Sequence, residues 1–432
     1  MARPTMTGAA AALSHRDFRR FWFGALVSNT GGWMQNAAVP VVAFGLAGSP
    51  GDVGITGFFQ YVPFMVMGLV GGALADRYPR RRLLIATQVA QSAFALALFA
   101  LVATDSATTL SLSAVAFGAG LAGGLNVPIW QSFVTELVPR DTLLNAVTLN
   151  SAQFNAARAL GPFLAGVVIA AWGAAAAFAL NAASYLVVIG VLTVIRGTSD
   201  QRVVAAGQRF VTRVRAGARH LRASPPIVAC CVAIIAVAGL GSPLFSYLPV
   251  IGENELGVTG ARLGLLFGAA GAGSVLFTPL LLTVAPRIRR ALLLAGSMSL
   301  YGVSVVATGL APTYPLVLVA LLAFGGAYLA IASTINTTIQ LVVDVDLRGV
   351  VIALYIGCLT GALPVGIFCW GLAADRVGIR ATTVGAGVAL LLATAVLVVT
   401  RRFEVMGAAD DARDAAAHPA AGGNAAAREV GT

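Results

Sequence analysis

Long apolar blocks run from Phe21 to Thr400, each closed by a short cluster of arginine, aspartate, proline or glycine. A bilayer's hydrocarbon core is about 30 Å thick and takes about 20 residues of helix to cross. Against that length the blocks predict twelve spans. Six lie at 21–47, 53–74, 83–103, 110–135, 143–172 and 174–195, and six at 226–250, 261–285, 291–311, 314–341, 349–374 and 381–400. Only Gly173 separates the fifth from the sixth, so that division rests on length. The predicted organisation is an N-terminal segment (1–20), a first six-helix bundle (21–195), a basic linker (196–225), a second bundle (226–400) and a disordered tail rich in alanine and glycine (401–432). The basic stretch at the N-terminus feeds an apolar block too long for the core of a cleavable signal.

Composition fixes the solvent. A soluble globular domain carries about 25% charged residues; of these 432 residues 10% are charged and 58% hydrophobic, with a mean hydropathy of +0.87. So much apolar surface needs lipid around it, which excludes soluble enzymes, disordered chains, disulfide-stapled domains and a single anchored domain. The net charge of +11 comes with 28 basic residues, all arginine. With the N-terminus inside, 24 of them fall on the cytoplasmic side; Arg262, Arg376 and Arg380 fall outside, and Arg158 lies within a span. That asymmetry predicts both termini in the cytoplasm and an even number of spans. In the linker, Phe210, Val214, Ala218 and Leu221 recur at helical spacing among five arginines, a basic amphipathic helix suited to the anionic inner leaflet rather than to nucleic acid. Cys230, Cys231, Cys358 and Cys369 all sit in apolar runs, as small buried residues rather than metal ligands.

The two halves echo each other. Gly161, Gly166 and Gly173 in and after the fifth span have the same spacing as Gly366, Gly371 and Gly378 in and after the eleventh. Such internal symmetry marks transporters built from duplicated bundles, with the substrate between the halves near the midplane. Arg158 stands about 22 Å into its helix at 1.5 Å per residue, where a cation costs at least ~2.5–3.5 kcal/mol. Ser151, Asn155 and Arg158 share one helix face. Two readings stay open there: a cavity cation for an anionic or polar substrate group, or a clamp on carbonyls or on a polar group of another helix.

The string Gly72-Ala-Leu-Ala-Asp76-Arg77-Tyr78-Pro79-Arg80-Arg81-Arg82 resembles the loop between the second and third helices of the major facilitator superfamily, with Pro79 where glycine is usual. The resemblance implies an all-α membrane fold of twelve transmembrane helices in two pseudo-symmetric six-helix bundles. It also implies a cytoplasmic gating cluster of Asp76, Arg77, Arg80 and Glu136 that latches the outward-facing state. The second-half counterpart of the string, 284–290, lacks the acid. Around Gly161, Pro162 and Gly166 the fifth helix resembles the export signature of the drug antiporters, with Ala165 in place of one glycine. Close packing of small residues is the competing use of that string. The stretches 14–22, 137–158 and Asn155-Ala-Ala-Arg158 are similar to the enterobactin-exporter-like and macrolide-efflux-like branch. On helices that line the superfamily's cavity, the polar candidates are Asn29, Trp33, Asn36, Asn126, Trp130, Asn155, Arg158, Tyr247, Asn336 and Gln340. Hydrogen bonds between helices are the alternative use of each.

Every acidic residue falls in a loop, tail or helix end, and His15, His220 and His418 all lie outside the spans. Proton exchange, which the resemblance implies, therefore has only Asp76, Glu136 and Asp52 to draw on. A cavity without negative charge favours neutral or anionic amphiphiles. The expectation is an inner-membrane exporter of drug-, macrolide- or siderophore-type molecules, working as a monomer among membrane lipids by alternating access, with no cofactor and no metal. An importer of a small polar or anionic metabolite is the alternative. A membrane-embedded enzyme lacks the clustered titratable groups it would need, and a sensor lacks an output domain.

Overall fold

The computed structural model describes residues 11–195, 219, 221, 223–343 and 345–403, nearly all helical and, among those residues, without a strand. The linker helix and the tail predicted from the sequence fall almost wholly outside the described residues. The first half comprises α1 (Arg16–Ala47), α2 (Pro50–Arg77), α3 (Arg80–Ala103), α4 (Thr109–Val134) and a continuous stretch, Leu143–Val194. That stretch breaks at Gly173, whose φ of 80° and ψ of 170° suit a residue without a Cβ, into α5 (143–172) and α6 (174–194). The second half comprises α7 (Pro225–Glu255), α8 (Gly260–Val284), α9 (Arg290–Leu310), α10 (Tyr314–Val342), α11 (Val345–Val377) and α12 (Ile379–Val399).

Each of the twelve windows read from the sequence thus contains helix. Nine helices among the described residues are long and apolar enough to cross a bilayer, ten with the bent α2, and the Gly173 break makes two spans of one. The remaining helix, α1, is diluted by Ser28, Asn29, Thr30, Gln35 and Asn36. Helix α7 is the least regular. It widens at Val237–Gly241, tightens at Ser242–Tyr247 and widens again at Ile251–Glu255. Gly239 and Gly241 loosen its backbone, while Pro243 and Pro249 cannot donate to the helical ladder.

Side-chain contacts identify the two ends of the molecule. At one, Arg80 on α3 meets Glu136 after α4, Arg81 donates to the Leu192 and Thr193 carbonyls ending α6, and Thr142 reaches His15 before α1. At the other, Asp375 on α11 meets the start of α2, Arg380 on α12 meets Glu255 on α7, and Tyr314 on α10 donates to the Arg262 carbonyl on α8. Within the first half α1 packs along α5 and α6, and α2 against α4; in the second, α10 packs on α8 and α9. The halves join along α2–α11 and α5–α8, whereas α4 and α10 make at most marginal contact among the described residues.

Candidate substrate cavity

The seam between the halves is tightest where side chains vanish. Gly166 on α5 lies against Gly264 on α8 so closely that a methyl group on either would overlap the other's Cα. Around the pseudo-symmetric position, Gly371 on α11 faces Gly54 and the Pro50 carbonyl on α2. The glycine echo has a full structural counterpart. Gly161 seats α5 on α1 against Trp33 and Thr30, Gly366 seats α11 on α7 against Gly239, and Gly378 turns α11 into α12 at a φ of 84° as Gly173 turns α5 into α6. Tyr247 fills the gap beside Gly54 and Gly371, fully buried, its hydroxyl donating to the Ile367 carbonyl at 2.7 Å and its ring stacked on Trp370. Past this plug, the Asp375 carboxylate accepts from the Gly51 N–H at 3.0 Å and the Ser49 hydroxyl at 3.2 Å. It thus sits at the N-terminus of the other half's helix, where the macrodipole favours an anion.

Towards the opposite end a cleft opens between α5, α7, α8 and α10. It encloses about 570 Å³, open solvent included, and Asn155, Arg158, Phe245, Ser274, Phe324 and Tyr328 are among its walls. Arg158 reaches it half-buried, with its guanidinium carbon 4.0 Å from the centre of the Tyr328 ring and 5.2 Å from that of Trp33. One ring belongs to each half, so the cation bridges them through two cation–π contacts. Neither ion pair nor hydrogen bond engages its N–H groups among the described residues. The carbonyl clamp left open by the sequence is therefore absent there. Asn155 donates to the Ser151 carbonyl and keeps an exposed face, and Asn336 and Gln340, paired at 3.1 Å, continue the exposed face of α10 below Tyr328 and Ala332.

Other polar residues predicted for the cavity work between helices of the first half. Asn29 donates to Gln153 at 3.2 Å, Asn36 accepts from Gln60 at 2.9 Å, and Asn126 accepts from Thr87 and Gln88 on α3. Trp130, 6% exposed, packs at a tilt against Phe21 and donates to Asn150. Pro162 is buried in α5. Of the charge cluster, Arg80 and Glu136 pair at 2.6 Å, and Arg80 also donates to the Ala75 and Ser132 carbonyls. Arg77 lies over its neighbour Tyr78. Asp76 stands exposed, with no partner among the described residues. No group of three or more His, Cys, Asp or Glu residues able to hold a metal occurs among the described residues.

Two helical bundles meeting around a cleft, clasped at one end and parted at the other, define a membrane transporter of the major facilitator fold. A family model described as transmembrane secretion effector matches residues 7–425, and the chain belongs to that family. Over 400 residues it is 26% identical to the multidrug efflux pump Tap of Mycolicibacterium fortuitum, covering 88% of this chain and 95% of the pump. It is 20% identical over 366 residues to macrolide efflux protein A of Streptococcus pyogenes, covering 84% and 90% respectively. A solved bacterial homologue of the human lysosomal transporter Spinster, inward-facing and unoccupied, matches with a TM-score of 0.70 at 16% identity, covering 90% of this chain and 97% of that one. The resemblance read from the motifs is borne out at the level of family and fold. The chain is a multi-pass membrane transporter and not an enzyme.

Proposed function

We propose that this protein exports small amphiphilic organic molecules, of drug, macrolide or siderophore type, across the bacterial inner membrane by alternating access. The observation that carries the reading is the cleft at Arg158, shut off at the Asp375 end and approached from the arginine-rich end. The positive-inside rule makes that arginine-rich end cytoplasmic, so a cytoplasmic or inner-leaflet molecule has access to the cleft in this state. Closing the Glu136 end and parting the Gly166–Gly264 and Asp375–Gly51 contacts then turns the cleft outward. The efflux names of Tap and macrolide efflux protein A support the outward direction.

Proton exchange is the coupling that the family resemblance implies, with Asp76, Glu136 and Asp52 as its available carboxylates. Inverted membrane vesicles test direction and coupling together. An acid-inside gradient is expected to drive a macrolide or a lipophilic dye into the lumen, and Asp76→Asn to slow that uptake. Uptake by right-side-out vesicles alone would make the protein an importer, and uptake indifferent to the gradient would remove the proton.

A further inference from the structure

We infer that Arg158 selects substrates bearing an anionic group on an aromatic body, and that this group docks in the plane of the guanidinium between Trp33 and Tyr328. The inference rests on the cavity reading above and deepens it. A guanidinium has two flat faces and an edge carrying five N–H donors. Here the aromatic contacts are made to the cation by Trp33 of the first half and Tyr328 of the second. Such contacts stabilise a cation by about 0.5–2 kcal/mol, but they leave its donors unused. None of those donors finds a partner among the described residues, although the residue lines the cleft.

A carboxylate or another planar anion supplies what is missing, two acceptor oxygens matched to the guanidinium edge. The remaining walls suit the rest of such a molecule. Phe245, Phe324 and Leu329 offer apolar and aromatic surface, while Gly271 and Gly325 draw the helices around the cleft together, against the Ala159 and Ala270 backbones. Among the described residues no aspartate or glutamate lines the cleft, so an organic cation would meet Arg158 with no carboxylate there to offset the repulsion. Because the two rings belong to different halves, an anion held on Arg158 is gripped across the seam that must move.

The test uses the purified full-length protein in lipid nanodiscs and three probes of one shape: 2-naphthoate, 2-naphthamide and 2-naphthylmethylammonium. Equilibrium binding is read with tritiated probes, so the result does not depend on transport direction. Naphthoate is expected to bind about tenfold more tightly than the amide, the size of one charge-assisted contact, and the ammonium more weakly than either. Arg158→Gln should bring naphthoate and amide to the same affinity, and Arg158→Lys, which keeps charge but loses the fork, should restore part of the gap. Thermal melting of each variant checks its folding. If Arg158→Gln melts early, Tyr328→Leu replaces it and is expected to shrink the ratio of naphthoate to amide affinity, whatever it does to the binding of both. Equal binding of naphthoate and amide by the wild type, or a gap that survives Arg158→Gln, overturns the inference. Wild-type protein that binds none of the three does so as well, whereas macrolide or dye flux in vesicles still decides the exporter reading separately.

Discussion

The two ends of the molecule carry closely similar short strings, and among the described residues the acid of only one copy is engaged. Gly72-Ala-Leu-Ala-Asp76-Arg77 closes α2 and Gly371-Leu-Ala-Ala-Asp375-Arg376 closes α11. Asp375 binds the first turn of α2 across the seam, whereas Asp76 stands exposed without a partner among the described residues. Each acid ends a helix that runs along the seam, and α11 begins at Val345, at the end where Asp76 stands. The fold thus has two places where a carboxylate of one half can meet a helix start of the other. In this state the clasp is made at the Asp375 end. The ion pair at the Glu136 end, Arg80–Glu136, lies inside a single half and so does not hold the halves together.

The largest effect should come from preventing closure at the clasped end. A side chain at Gly166 would collide with the Gly264 backbone, which cannot rotate away. Gly166→Leu is expected to abolish transport and to raise outward accessibility about tenfold or more, since overpacking costs ~1–3 kcal/mol even where neighbours can yield. A reporter cysteine at Val53, 1% exposed near this seam, labelled with an impermeant maleimide after replacement of the four native cysteines, measures it. Labelling no greater than in the parent would show that the Gly166–Gly264 approach is not the closing contact.

Arg80→Ala should act on stability instead. It removes the partner of a carboxylate that is only one-fifth exposed and whose Oε2 already lacks a hydrogen bond in the protein. A loss of about 1–3 kcal/mol is expected for stranding a partly buried charge, read as a lower melting temperature with unchanged labelling at Val53→Cys. A change in labelling without a change in melting would instead make this pair part of the clasp.

Much of this architecture was legible in the chain because lipid leaves few choices. Twenty apolar residues between arginine clusters can be little other than a span, and the spacing of Gly161, Gly166 and Gly173 returned at Gly366, Gly371 and Gly378 because equivalent helices meet equivalent neighbours. The cavity was only partly legible. Amide side chains bond across helices whether or not they face a substrate, and nothing in the spacing of Asn29, Asn36 or Asn126 distinguishes those uses; their partners Gln153, Gln60 and Thr87 lie on other helices. Tyr328 was missed although Tyr328, Ala332, Asn336 and Gln340 recur every four residues on α10, so the polar stripe could have been followed upward to it. Asp375 was missed although its string matches that of Asp76 in glycine, alanine, aspartate and arginine, because the two lie in helices that are not equivalent in the two halves.

Asp375→Asn separates the two ends directly. Asparagine keeps an acceptor for the Gly51 N–H but loses the charge that the α2 macrodipole favours, a difference of about 0.3–1 kcal/mol at an exposed helix start. Labelling at Val53→Cys should rise about two- to fivefold, and Asp76→Asn should leave it unchanged or lower it. If both substitutions raised labelling equally, the two acids would not act at opposite ends of one conformational equilibrium.

Tyr247→Phe is expected to give the smallest shift. The ring, wedged beside Gly54 and Gly371 and stacked on Trp370, is what fills the seam, and phenylalanine keeps it. Only the 2.7 Å hydrogen bond to the Ile367 carbonyl is lost, and that carbonyl lies inside α11, where the helical ladder already gives it a donor. Both partners of that bond lie in the second half, so its net loss, at the lower end of the usual ~0.5–1.5 kcal/mol, is expected mainly as a lower melting temperature, with Val53→Cys labelling raised by less than about twofold. Tyr247→Ala, which removes the ring as well, should exceed Asp375→Asn. Equal effects of the two Tyr247 variants would place the plug's contribution in its hydroxyl rather than in its volume.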